Sequence, residues 1–286
     1  MPAMADRRTS GALPNLIVIG AMKCGTTSLH HYLDLHPEIQ MSNPKELKFF
    51  VEELNWARGA DWYAGHFDPA APVRGESSPH YTTYPRWQGV PARMRSLVPE
   101  AKLIFAVRDP IERLLSQYVH MRTSGDERRE LSAALRENPS YLDRSRYWMQ
   151  LEPFLEHYSR DAILVLNAEE LVERRQETLR RVFSFLEVDN DFTSPQFERL
   201  WETSQGKNSK FRLLLRARDW PVVRNSHRLP QDARWLLERI KYSTVGGRVE
   251  RPPLDPALRR ELEADLREDA ARLRAFTGQD FESWSV

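Results

Sequence analysis

The segment LIVIGAMKCGTTSLHHYLDLHP, residues 16 to 37, spaces Gly20 and Gly25 as in a phosphate-binding glycine loop. In the usual form of that loop a lysine directly follows the second glycine. It reaches the β- and γ-phosphates of a nucleotide. Here Thr26 takes that position and Lys23 stands inside the loop, while Thr27 keeps the hydroxyl that follows. A nest of backbone N–H groups, backed by a helix beginning near Thr27, still suits an anion. The hydroxyls of Thr26, Thr27 and Ser28 add donors. An acidic magnesium ligand is not evident after a later strand, because LIFAVRDP runs into Arg108 and a capping Asp109. The alternative is a plain strand-to-helix turn capped by Thr26 and Thr27.

The elements that must position this loop are legible. LIVIG (16–20), KLIFAV (102–107) and AILVLN (162–167) are short continuous apolar runs, as expected of strands buried on both faces. VRGESS (73–78) is a weaker fourth. After the second run, Asp109 suits an N-cap, Pro110 the first helical position and Glu112 a capping box. Leu114, Leu115, Tyr118 and Met121 follow as an apolar face. Residues 167–188 form another helical pattern. Residues 255–277 form a third, started by Asp255 and Pro256, faced by Leu258, Leu262, Leu266, Ala270 and Leu273, and stopped by Gly278. Strands alternating with helices predict an α/β fold with a parallel sheet, and ligands in such sheets bind beyond the carboxyl ends of the strands.

MKCGTTSL, with its lysine ahead of the G-T-T, resembles the 5′-phosphosulfate loop of sulfotransferases that use 3′-phosphoadenosine-5′-phosphosulfate (PAPS). The resemblance runs from Leu16 to the terminal GQDFESW, and is nearest the heparan sulfate and bacterial branches of the family. It implies that Lys23, Cys24, Gly25, Thr26, Thr27 and Ser28 bind the donor. The family's second signature is an arginine at a strand end followed eight residues later by a serine, and the two hold the 3′-phosphate. Arg108 and Ser116 match that spacing. An arginine ending a buried strand needs an anion nearby, though a carboxylate such as Asp109 or Glu112 would also serve. GKNSKFR (206–212) resembles the late loop that closes over the nucleotide, with Lys210 and Arg212 as donor-binding candidates and Phe211 as one option for stacking on adenine.

Sulfuryl transfer needs a base for the acceptor proton and a cation for the leaving oxygen. Lys23 suits the second role. SNPKELKFF (42–50) resembles the K-E-x-x-F-F segment of the heparan sulfate branch, whose glutamate is the general base, which implies Glu46 here. The residues alone also allow a short helix capped by Asn43 with Pro44 first, making Glu46 a capping-box partner. DWYAGHF (61–67) and GESSPHY (75–81) match further segments of that branch. Relatives carry a lysine at the position of Ser77, and its absence leaves a sulfate- or substrate-holding role for Lys48 or His80. His80 and His66 are alternative bases.

The resemblance also implies a three-layer fold, with about five mostly parallel strands flanked by helices in a topology akin to P-loop NTPases and nucleotide kinases, and no metal requirement. Composition sets the frame. With 286 residues, 42 basic and 41 acidic side chains and a net charge of +1, no global field favours nucleic acid or an anionic membrane. The single cysteine, Cys24, excludes an intrachain disulfide and fits a reducing, cytoplasmic setting. No apolar run approaches the ~20 residues that span a bilayer. Residues 1–13 are expected to be a disordered lead-in and 14–286 one domain.

The expectation is therefore a PAPS-dependent sulfotransferase that acts on a hydroxyl, in preference to an amine, of a glycan, lipid or small molecule and releases adenosine 3′,5′-bisphosphate. The competing readings are a small-molecule P-loop kinase and a non-catalytic nucleotide-binding module. The aromatic stretch 56–87 and the charged region 123–150, of which 123–146 is expected to form a surface helix with mobile loops, are the candidates for shaping the acceptor cleft.

Overall fold

The computed structural model describes residues 12–198 and 251–286. Five strands form one sheet: β1 (Leu16–Gly20), β2 (Ile39–Met41), β3 (Val73–Ser77), β4 (Lys102–Val107) and β5 (Ile163–Asn167). Their order is β2-β3-β1-β4-β5, and every pairing is parallel. The four expected strands appear within a residue of their predicted ends. β2 was not predicted, since three residues are too few to show a pattern.

Parallel strands need crossovers, and helices supply them. α1 (Thr26–Asp34) follows β1, α2 (Ala60–Ala64) precedes β3, and α3 (Val90–Leu97) leads into β4. α4 (Pro110–Ser124) follows β4. Its N-cap is as expected: the Asp109 carboxylate accepts from the Glu112 N–H at 2.8 Å. The reciprocal half of the capping box does not form. The Asp109 N–H donates to Glu169 Oε1 at 3.0 Å, and Glu112 is held by a fork from Arg251 at 2.6 and 2.5 Å. The charged region is less superficial than expected. It folds into α5 (Leu131–Glu137) and α6 (Ser140–Asp143), and Glu127 is buried against Arg129 and Tyr141.

α7 (Tyr147–Leu155) precedes β5. The pattern at 167–188 is two helices, α8 (Ala168–Glu173) and α9 (Arg175–Leu186), broken at Arg174 (φ −127°). The long helix Pro256–Thr277 is capped by Asp255, which accepts from the N–H groups of Ala257 and Leu258, and ends at Gly278 with φ +69°. All five of its predicted apolar positions are buried, each leucine contributing about 2 kcal/mol. Its Asp269 accepts from the Trp148 and Met149 N–H groups at 2.9 Å, and so caps α7 from outside. Among the described residues no helix is long and apolar enough to cross a membrane. Residues 1–11 of the expected lead-in, and Lys210, Phe211 and Arg212, lie outside the described residues.

Candidate active site

The central strand β1 ends in a turn that only glycine fits. A Cβ on Gly20 would meet Thr82 Oγ1 at 2.0 Å. The chain then passes through Lys23 at φ +74° and Gly25 at φ +75° before α1 begins. Gly25 is the N-cap of α1 and is exposed. No side chain caps that helix, and its first turn holds no acidic residue. Thr26 and Thr27 are the first two helical residues of α1, after the Gly25 N-cap, and so are not its cap. The first-turn N–H groups of α1 and the positive end of its dipole lie at this turn, which suits an anion. Cys24 reaches such a site only through its backbone. Its thiol is buried beside the Tyr147 hydroxyl at 3.5 Å, and burial pushes its pKa up to about 11.

Arg108 lies just beyond β4, the neighbour of β1. Among the described residues its guanidinium makes only loose ion pairs, 3.8 Å to Glu112 and 3.9 Å to Glu169. Its backbone N–H donates to the Tyr147 hydroxyl at 3.4 Å. Tyr147 thus joins the turn after β1 to the turn after β4. Ser116 lies two turns along α4 and is buried.

The other side of β1 carries the acid–base groups. Residues 43–48 form no helix, and Glu46 has φ +67°, so the capping alternative is excluded. Glu46 Oε1 lies 3.0 Å from Lys45 Nζ, and Oε2 lies 3.6 Å from Lys48 Nζ and 3.5 Å from His80 Nδ1. Burial raises the Glu46 pKa, but Lys45, His80 and Lys48 together outweigh it and hold the carboxyl below its ordinary value. Burial, with Lys48 second, lowers His80 to about 4. His80 is thus uncharged at neutral pH, where the two lysines alone act on Glu46. His66 is occupied elsewhere, its Nδ1 against the carbonyls of Trp62 and Tyr63.

Two non-glycine residues of this loop, Glu46 and Lys48 (φ +51°), hold left-handed backbone, a conformation that persists only where the surroundings over-determine it. Glu76 does so. It is fully buried on β3 and accepts from the hydroxyls of Tyr63 at 2.7 Å, Ser78 at 3.0 Å and Tyr81 at 2.5 Å, and from the Leu47 N–H. Ser78 in turn accepts from the Lys48 N–H at 3.0 Å. Phe49 stacks on Tyr63 at 4.2 Å. Ser77, where relatives carry lysine, is buried, and its Oγ lies 3.1 Å from His30 Nδ1.

The model of the sulfotransferase domain matches residues 13–222. The chain belongs to the sulfotransferase domain family. It is 42% identical over 111 residues to the membrane-associated sulfotransferase kil1 of Dictyostelium discoideum, covering 37% of this chain and 22% of that one. It is 28% identical over 208 residues to the human bifunctional heparan sulfate N-deacetylase/N-sulfotransferase 2, covering 64% of this chain and 23% of that one. The chain thus spans about a quarter of the length of these curated relatives. A sulfotransferase from Alicyclobacillus acidocaldarius superposes with a TM-score of 0.66 at 25% identity, over 96% of this chain and all of that one. Mouse sulfotransferase SULT7A1 complexed with PAP shares the fold, with a TM-score of 0.55 at 14% identity over 94% and 88% of the two chains.

In this chain, Lys23, Arg108, Glu46, Lys48 and His80 all follow carboxyl ends of strands, along one edge of the sheet. Sequence reading did not single out Glu76, Tyr147 or His30, and took Lys45 only as a flanking match of the Glu46 segment. A buried carboxylate or tyrosine carries no local signal. Lys45 adjoins Glu46 in the chain and so could have been weighed as its partner.

Proposed function

We propose that the chain moves a sulfuryl group from PAPS to an acceptor hydroxyl. The observation that carries this reading is the uncapped N-terminus of α1 behind the Lys23 turn, with an ionised carboxylate, Glu46, on the neighbouring side of the same sheet edge. The backbone from Lys23 to Ser28 and the hydroxyls of Thr26 and Thr27 suit the donor's 5′ end. Arg108 suits the 3′-phosphate, because its two carboxylate contacts are long enough to yield to a better partner. Ser116 completes that contact. Lys210 and Arg212 are kept as donor-side candidates on the sequence alone.

When bound, the donor supplies an activated sulfate, whose bond to the 5′-phosphate breaks as the acceptor oxygen bonds to sulfur. Lys23 neutralises charge on the leaving oxygen. Glu46 takes the acceptor's proton, and Lys45 and Lys48 keep it ionised and aimed. His80, uncharged at neutral pH, orients Glu46 or the acceptor. No described group of three or more histidine, cysteine, aspartate or glutamate side chains is arranged to hold a metal, and each charge-stabilising role above falls to a cationic side chain or to backbone N–H groups. A cytoplasmic setting belongs to the same proposal. The acceptor is a glycan, lipid or small molecule.

Calorimetry comparing adenosine 3′,5′-bisphosphate with ATP, each with and without magnesium, tests the donor. Magnesium-independent binding of the bisphosphate is expected. Magnesium-dependent binding of ATP alone would favour a kinase.

A further inference from the structure

Arg144 follows α6 and carries a charge that no described residue neutralises. Its Nη1 points at Met22 Sδ, 3.0 Å away, a weak acceptor for so strong a donor. Its Nε is buried with no hydrogen-bond partner. Among the described residues no carboxylate lies within ion-pair distance of it. Its neighbours are served differently. Arg146 pairs with Asp143 at 3.3 Å. Arg113, wholly buried, donates to Ser145 Oγ, Gln117 Oε1 and the Tyr141 carbonyl at 2.6 to 2.8 Å. Arg144 lacks both kinds of compensation. Burial, then the charges of Arg113 and Arg86, lower its pKa to about 10, so it remains a cation at neutral pH. A partly buried cation whose Nε is shielded from water and held without a counter-ion costs stability. A fold keeps such a cost where a ligand repays it.

Its position says which ligand. Met22 precedes Lys23 in the turn after β1. The charge of Arg144 also disfavours a proton on His80, behind burial, Lys48 and Glu46 in weight. His80 in turn stands against Glu46 and stacks on Trp87 at 5.3 Å, and Arg86 lies over the same indole, 5.3 Å from its centroid. Arg144 therefore lies near both the turn suited to the donor's sulfated end and the loop that bears the base. That is the seat of the acceptor.

We propose that Arg144 binds an acidic group of the acceptor, a carboxylate or a sulfate or phosphate ester, and so selects an anionic molecule whose hydroxyl faces Glu46. The inference rests on the sulfuryl-transfer reading of this site. The donor's own anionic groups are matched by the α1 N-terminus, Lys23, Arg108 and Ser116. Glu46 is already shared by Lys45 and Lys48. That leaves Arg144 for the acceptor. The Nε and Nη edge of a guanidinium fits two oxygens of one acidic group in parallel. Met22, unbranched and adaptable, is the side chain an incoming oxygen would displace.

The test uses the full chain saturated with adenosine 3′,5′-bisphosphate. Calorimetry compares 4-hydroxyphenylacetate with its neutral amide, 4-hydroxyphenylacetamide. The acid should bind at least about tenfold more tightly, as expected for a charge-assisted contact. Arg144→Gln should erase that preference and leave the bisphosphate affinity unchanged within about twofold, while Arg144→Lys keeps part of it. Because no described residue neutralises Arg144, the glutamine variant should melt no lower than the parent. The proposal is overturned if the parent shows no preference for the acid, or if the preference survives in Arg144→Gln. It is also overturned if that variant loses about tenfold or more in bisphosphate affinity, which would assign the arginine to the donor. Should the parent fail to bind the bisphosphate at all, the sulfuryl-transfer reading falls. The acid–amide comparison on the free protein then still decides the role of Arg144.

Discussion

Oε2 of Glu46 stands 3.5 Å from Nδ1 of His80, and that nitrogen has no hydrogen-bond partner. The two groups are close but not aligned. Each is shifted toward the form useful at neutral pH, the carboxylate ionised and the imidazole neutral. They are the two candidates for the proton-accepting role, and substitution separates them.

Glu46→Gln should lower turnover about 10²- to 10⁴-fold, the usual weight of a general base, with bisphosphate affinity unchanged. His80→Asn should cost less than about tenfold. Lys45→Met removes the nearest positive charge and should move the acid limb of the pH–rate profile upward, toward the ordinary carboxylate pKa of about 4.3. Steady-state kinetics across pH, with donor binding measured separately, check all three. An intact rate in Glu46→Gln would pass the role to His80.

His30 and His80 tie stability to pH. Burial first, then nearby positive charge, lowers them to about 3 and about 4. Between the unfolded value near 6.5 and those folded values, the unfolded chain binds the extra protons. Stability should therefore fall as pH drops from about 6.5 to 4, by up to about 1.4 kcal/mol per pH unit for each histidine. Thermal melts at pH 7 and pH 5 should differ, and His30→Gln should shrink the difference. Equal shrinkage is expected from His80→Gln, whose ring is only a quarter exposed.

Arg108→Ala should weaken adenosine 3′,5′-bisphosphate about ten- to a hundredfold, the loss of a charge-assisted contact. Adenosine 5′-monophosphate should lose less than about threefold. Calorimetry on the pair is decisive, since equal losses for both nucleotides would remove Arg108 from the 3′-phosphate.

Tyr81→Phe deletes one donor to the buried Glu76 carboxylate and the acceptor that meets the Phe50 N–H at 3.5 Å. A cost of about 1–3 kcal/mol is expected from the imbalance. The loop bearing Glu46 should then relax from its left-handed backbone. The rate constant should fall while bisphosphate affinity holds, because Tyr147 ties the turn after β1 to the turn after β4 independently of Tyr81. Denaturant midpoints and a kcat-against-binding comparison check both halves.

The legible features share a local cause. Gly20 and Gly25 mark a turn that other side chains would block or strain. Asp109 with Pro110, and Asp255 with Pro256, announce helix starts because capping is a contact between near neighbours in the chain. Arg108 and Ser116 keep the family's spacing, although the carboxylates flanking Arg108 include Glu169, from a helix beyond β5, which no spacing foretold. Glu112 failed as a capping-box partner because Arg251, far along the chain, offered a charged fork instead. Asn43 failed as a cap because Ser78 and Glu76 hold the backbone of Leu47 and Lys48 in another path.

The chain by itself determined the parallel α/β architecture, the displaced lysine and the carboxylate in the K-E-x-x-F-F segment, because apolar periodicity, glycine spacing and short motifs are properties of adjacent residues. The tertiary structure decided the electrostatics. Whether Glu46 is ionised, His80 neutral and Arg144 left without a counter-ion depends on what burial removes and which charges from β3, α6 and the turn after β1 meet across space. Those energies vary with distance and solvent access, and neither quantity is written in the order of the residues.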